Sequence, residues 1–195
     1  MATETGGLGR WVVVWFTVLL SVAKLGAQEF GVSTRQLVLP EVGVVTNWVI
    51  RVHGAGYCFM PPLGWRREHG IRGGVGWVSG RGARLSLERV PEAWMSAGLT
   101  NAVVVAASIE RDFPEARIVG RSSCYTEGGE GLMFDLEWEG VQGEGMVSRV
   151  AVVDFSGVGF RLVLTARRSV FGGAVGAYQG VLTSFQPTAV VLGGG

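Results

Sequence analysis

Four side chains stand out as able to carry nucleophilic or metal chemistry: Cys58, Cys124, His53 and His69. A thiol beside an imidazole becomes a nucleophile because the imidazole takes its proton. The same residue types bind zinc when four of them converge, usually through short paired spacings such as C-x-x-C. Here Cys58 follows His53 by five positions and no second pair exists, so the spacing builds no zinc site. A small hydrolase would need Cys58, Cys124 or a serine brought against His53 or His69 by the fold. No G-x-S-x-G elbow marks such a serine. No phosphate-binding G-x-x-x-x-G-K-[ST] loop occurs, and Gly157-Val158-Gly159 precedes an expected strand rather than a helix, so no dinucleotide fingerprint is read from it. The sequence therefore assigns no catalytic, metal or cofactor-binding residue, and no cofactor is expected.

Other groupings carry two readings each. Asp135, Glu137 and Glu139 alternate along one segment and share a strand face, where carboxylates can bind a cation or exchange protons. The competing reading is the wet face of a sheet, paired across to Arg149 or Arg161. Gly172, Gly176 and Gly180 recur every four residues in a helical segment, each at a cost of about 1 kcal/mol relative to alanine. Close packing of helix on sheet would compensate, as would a seam for a partner. Cys58 and Cys124 make one disulfide possible if the chain is exported, worth about 4 kcal/mol by loop closure; the alternative is two buried free thiols.

The elements that must position these groups follow from charge and periodicity. Seventeen basic residues face 16 acidic ones, and setting aside residues 1–27 leaves 15 of each. A neutral domain lacks the basic face that nucleic acid requires, so no nucleic-acid partner is expected. Arg10 followed by the apolar run from Trp11 to Val22 has the anatomy of a signal peptide, and Lys24 cuts the run short of the roughly 20 residues a membrane span needs. Cleavage is placed after Ala27, with Ser21-Val22-Ala23 as a second candidate. The expected location is periplasmic or secreted; the alternative is a membrane anchor formed by an uncleaved N-terminal segment.

Residues 28–55 read as a weakly patterned lead-in with a strand over 44–51, residues 56–188 as a single α+β domain, and residues 189–195 as a flexible tail. Within the domain, Tyr57–Pro62 is extended, and strands are expected over 75–78 and 83–90. A helix follows Pro91 over residues 92–111, with Trp94, Leu99, Val103, Ala106 and Ile109 on its apolar face. The Val103–Val105 run pulls the other way, since β-branched residues favour strands. Strands are expected over 116–126, 130–140, 145–155 and 159–167; the second and fourth alternate apolar and polar residues, and the last three are joined by the short glycine-bearing links 140–143 and 156–159. A helix with the stripe Phe171, Val175, Tyr178, Leu182 and Phe185 then runs to Pro187. The fold class is α+β: an antiparallel sheet with two packed helices.

The stretch Tyr57–Trp65, an aromatic extended run ending Pro61-Pro62-Leu63-Gly64-Trp65, resembles the opening strand of PsbP-like proteins. So does the ending, a strand over 160–165, a helix and then Ser184-Phe185-Gln186-Pro187. That family includes the extrinsic photosystem II subunit, bacterial exported proteins of unknown function and a eukaryotic Ran-binding factor. The resemblance spans about residues 56–188 in element order. It implies an α/β/α sandwich and a protein-binding, non-catalytic role, and it transfers no functional residue.

The expected function is an exported binding or accessory protein acting through protein contacts in the bacterial envelope. A small hydrolase using His53 or His69 and a small-ligand carrier are the alternatives. N-terminal sequencing of the exported protein is expected to begin at Gln28; a mature chain that begins at Met1 or Ala2 would exclude cleavage.

Overall fold

A computed structural model of the chain describes residues 30–39, 41, 43–68 and 73–188. Residues 1–27, where a signal peptide is expected, His69 and residues 189–195 fall outside the described residues. Among the described residues, eleven strands form two antiparallel sheets. The smaller has the order β1-β2-β3-β11: β1 (Phe30–Leu39), β2 (Gly43–Val52), β3 (Ala55–Phe59) and β11 (Gln186–Thr188). The larger has seven strands in the order β4-β5-β6-β10-β9-β8-β7. Its strands are β4 (Arg66–Glu68), β5 (Gly74–Val78), β6 (Arg84–Arg89), β7 (Arg117–Thr126), β8 (Gly129–Glu139), β9 (Gly145–Phe155) and β10 (Val158–Arg167). Helices α1 (Glu92–Ala97) and α2 (Ala102–Asp112) cover one face of the large sheet; α3 (Arg168–Thr183) and the small sheet cover the other.

Strand parity sorts the side chains into these two cores. On β9, Val150 and Val152 meet α1 and α2, whereas Ala151, Val153 and Phe155 meet the opposite layer. A strand buried on both faces reads as a continuous apolar run, which Val150–Val153 is. On β8 the alternation is cleaner: Leu132, Phe134, Leu136 and Trp138 face the α1–α2 layer, and Met133 faces α3. The larger core is built on aromatic rings. Phe160 and Phe185 lie 4.9 Å apart edge to face, Tyr57 and Phe160 4.7 Å, and Phe59 and Trp77 5.6 Å. Edge-to-face geometry satisfies the ring quadrupoles as well as burying area. These contacts fasten the small sheet to the large one.

Two hairpins turn on residues in the left-handed region. His53 and Gly54 join β2 to β3 with φ of 49° and 81°, and Ser156 and Gly157 join β9 to β10 with φ of 53° and 92°. Positive φ at both central positions matches the twist of the flanking strands. The Asp154 carboxylate accepts from the Gly157 N–H at 2.9 Å and braces the second turn.

Several expectations change. The single helix over 92–111 is two helices, because Gly98 takes φ 90° and ends α1. Asn101 then caps α2, its side-chain oxygen accepting from the Val103 N–H at 3.1 Å. The break rotates the second helix, so Val103, expected on the apolar face, is 72% exposed, and Val105 is buried instead. The valine run is helical: packing of Val105 and Ile109 on the sheet outweighs β-propensity. Three helices therefore stand where two were expected, and a second sheet shares a face with α3. Residues 30–52, read as a lead-in, form a hairpin whose β2 is hydrogen-bonded to β3 and buries Ile50 and Val52 completely.

The glycine row on α3 does not approach the sheet. Gly172, Gly176 and Gly180 are exposed, and a Cβ added at any of them meets nothing within 4 Å. The packed side of α3 is Ala174, Tyr178, Val181 and Leu182. Gly131 on β8 is the reverse case, since an added Cβ would collide with the Val152 carbonyl oxygen and with Val153. In urea titrations Gly176→Ala is expected to raise stability by about 0.5–1 kcal/mol. Gly131→Ala is expected to lower it by about 1–3 kcal/mol. Loss of stability in Gly176→Ala would show that the exposed face is occupied.

Candidate binding groove

The α1–α2 layer covers only part of its face of the large sheet. Its buried contacts come from β8, β9 and Val163 of β10, together with Val90 just after β6. The face of β4 and β6 and the adjoining part of β10 stay open and form a groove of about 570 Å³. Ser86, Val163 and Thr165 line its floor, Glu68 and Arg84 one rim, and Phe113 and Trp138 the opposite wall. Glu88 and Arg161 close the end beside α2.

Arg161 organises that end. Its Nη1 donates to Asp112 Oδ2 at 2.6 Å and its Nη2 to Glu88 Oε2 at 3.0 Å. Its guanidinium carbon stands 5.4 Å from the centre of the Trp94 ring. One side chain on β10 thus meets β6, the last residue of α2, and α1. The guanidinium is weakly hydrated and suits such sheltered paired sites. Arg161 Nε and Trp94 Nε1 are buried without hydrogen-bond partners, which leaves donors unsatisfied in this region. The rim pair Arg84–Glu68, at 3.7 Å and with Arg84 largely exposed, is looser. Beside the floor, on the same face of the sheet, Ser148 is fully buried and shares a 2.5 Å hydrogen bond with Thr165 on the neighbouring strand.

Trp138 is shared between this groove and two separate cavities. It also lines a small cavity of about 240 Å³ beside Phe113–Ala116 and a broad one of about 1090 Å³ toward the start of α3. In the broad cavity Glu137 accepts from Arg168 Nη2 at 2.9 Å and lies 3.8 Å from Arg117. The acidic row on β8 is therefore largely ion-paired. Asp135 takes both Nε and Nη2 of Arg149, at 2.7 and 3.0 Å, from the residue directly opposite on β9. Arg149 in turn lies 5.7 Å from the Phe171 ring of α3. Arg161, the other expected partner, points to the opposite face by parity and pairs with Glu88 and Asp112 instead.

Among the described residues, the two thiols and the His53 imidazole do not converge. His53 sits exposed in a hairpin turn. Cys58 lies on the outer face of β3, since its neighbours Tyr57 and Phe59 are in the core, and Ala55 to Cys58 alone spans ~10 Å of strand. Cys124 is buried in the larger core. The Cys58–Cys124 disulfide is thus not formed, and both thiols are free. Strand parity is the reason: one side chain points out of the small sheet and the other lies in the core behind it. Burial pushes the Cys124 thiol up to about 11 against a backbone hydrogen bond from Gly131 that lowers it. Burial also raises Cys58, partly offset by Thr188. Tyr178, fully buried with an unpartnered hydroxyl, is raised by the same cause. Among the described residues, no group of three His, Cys, Asp or Glu side chains could hold a metal ion.

Sequence reading missed the groove. It placed Trp138 on an apolar face and Arg161 on a wet one, but could not show that α2 stops short and leaves both at an opening. The only local signal was Pro114, which turns the chain away after α2.

No family model and no curated protein matches the chain. Among solved structures it is similar to the Saccharomyces cerevisiae Ran-binding protein Mog1p, at 8% identity over 80% of this chain and 96% of that one, with a TM-score of 0.47. It is also similar to PA94, a Pseudomonas aeruginosa protein of unknown function, at 15% identity over 74% of this chain and 99% of that one, with a TM-score of 0.46. Neither is a PsbP protein, so the PsbP resemblance rests on the short motifs that suggested it.

Thiol titration is expected to find two free thiols in denaturant and slow, Cys58-first reaction in the native protein at pH 8. One thiol or none would restore the bridge. The unfolded Cys124 thiol ionises near its ordinary value of 9.0 and the folded one near 11. The unfolded state therefore loses its proton first, and stability falls as pH rises through that window. The urea midpoint is expected to drop between pH 9 and 11, less steeply in Cys124→Ala.

Proposed function

We propose that this chain is a non-catalytic binding protein of the bacterial envelope that holds its partner in the groove beside Trp138. The observation that carries this reading is a preformed concavity on a rigid sheet face, with two aromatic walls and several convergent polar groups. Recognition surfaces are commonly built this way, and the fully hydrogen-bonded strands beneath need not rearrange on binding. A protein partner is what the PsbP-like resemblance implies. The groove's volume also favours a second reading, a carrier of a smaller ligand. Both place the occupant on the same surface.

Export is supported by Arg10 and the apolar run from Trp11 to Val22. No helix among the described residues is long and apolar enough to cross a membrane. The reading of the large sheet, with helices on both faces, as an α/β/α sandwich of the PsbP kind is supported by the element order from Tyr57 to Pro187.

Diazirine cross-linkers react with peptide and carbohydrate alike, so they test occupancy without presuming its chemistry. Placed at Arg84 or Ser86 in living cells, they are expected to give discrete adducts in several-fold higher yield than at Gln179 on the exposed side of α3. Equal yields, or adducts confined to Gln179, would overturn the groove as the binding surface.

A further inference from the structure

We propose that the groove is a binding site for a neutral oligosaccharide, an inference that rests on the groove reading above and names its ligand class. Charge is the first argument. Arg161 is held by Glu88 and Asp112, and Arg84 stands against Glu68, so the cations of the groove are already matched by carboxylates. A phosphate, a sulfate or a nucleic acid would need a surplus of positive charge that this surface lacks.

The second argument is the backbone. The floor strands β6 and β10 lie inside the sheet, with β5 and β9 bonded on their outer sides. Their N–H and C=O groups are used in the ladders and are not presented to the groove. An extended peptide is commonly gripped through its main chain at a sheet edge, and among the described residues the edge beside this groove is the three-residue β4 at its rim, too short to hold one. Recognition must run through side chains.

Those side chains form a set that suits alcohols. The Ser86 hydroxyl both donates and accepts; the Thr165 hydroxyl keeps acceptor capacity beyond its bond to Ser148; Glu88 and Glu68 keep acceptor lone pairs beyond their ion pairs; Arg84 keeps N–H donors. A sugar ring presents hydroxyls that also donate and accept, together with an apolar C–H face. Phe113 and Trp138 supply the flat apolar surface on which such a face packs. Length is the third argument. Trp138 lines both this groove and the separate cavity of about 1090 Å³ beside it, so a chain of several linked sugars that crosses the Trp138 ring would reach both spaces.

The test is calorimetric titration of the full chain with cellotetraose, chitotetraose and maltotetraose, with a sulfated tetrasaccharide as the anionic counterpart. At least one neutral sugar is expected to bind saturably and more tightly than the sulfated one. Trp138→Ala is expected to weaken binding at least ten-fold and Trp138→Phe less than about three-fold. Because Trp138 also packs against the α1–α2 layer, Ser86→Trp serves as a second variant that fills the groove without touching a core, and it too is expected to abolish binding. No saturable binding by any neutral sugar, preference for the sulfated one, or binding indifferent to Ser86→Trp would each overturn the proposal. Cross-links from Arg84 or Ser86 to a protein, in the absence of sugar binding, would overturn the sugar assignment and leave the groove reading standing. Absence of groove cross-links of any kind would overturn that reading as well.

Discussion

Strand β10 has to serve two faces at once, and the rest of the molecule is arranged around that constraint. Phe160, Leu162, Leu164 and Ala166 enter the larger core, while Arg161, Val163 and Thr165 face the α1–α2 side. An arginine at a half-buried position in a central strand is costly unless its charge is matched. Glu88 lies directly opposite Arg161 on β6, and Asp112 comes down from the end of α2. A triad of this kind is weak grounds for stability, because an apolar set of similar volume is often as stable. Its consequence is positional. It fixes where α2 ends, and that endpoint decides how much of the sheet is covered.

The two layers are held by different physics. The face under α3 and the small sheet relies on aromatic contact: Tyr57, Phe59, Phe155, Phe160 and Phe185 interlock across elements distant in sequence. Such packing tolerates little change of volume. The α1–α2 face combines a smaller apolar cluster with ion pairs and hydroxyls.

Much of the large sheet was legible in the sequence because its strands alternate over long runs. The patterns on β8 and β10 gave both the strands and their inward faces, and the Phe171–Phe185 stripe gave α3. Three features were not legible, each for a physical reason. Gly98 broke a helix whose apolar spacing looked continuous, because the spacing survives while the rotation does not. Among the described residues, strand β1 pairs with β2 alone, and its mixed composition shows nothing until the pairing is known. The small sheet closes through Gln186 against Cys58, a contact that no local pattern encodes. Parity works against the disulfide: with Tyr57 and Phe59 in the core, Cys58 between them points outward.

The groove was illegible for a related reason, and that reason bears on how it works. Arg161 meets Asp112 across 49 residues and Glu88 across 73, so the site exists only after the whole sheet is formed. A site assembled from strand faces is as rigid as the sheet, since moving one floor residue means breaking a ladder. Rigidity of this kind lowers the entropic cost of binding but leaves few ways to enclose a ligand. Charges already paired within the protein also lend it less attraction than free ones would. Both effects favour modest affinity with selection by shape and hydroxyl geometry, a combination suited to gripping one segment of a long, repetitive and uncharged chain.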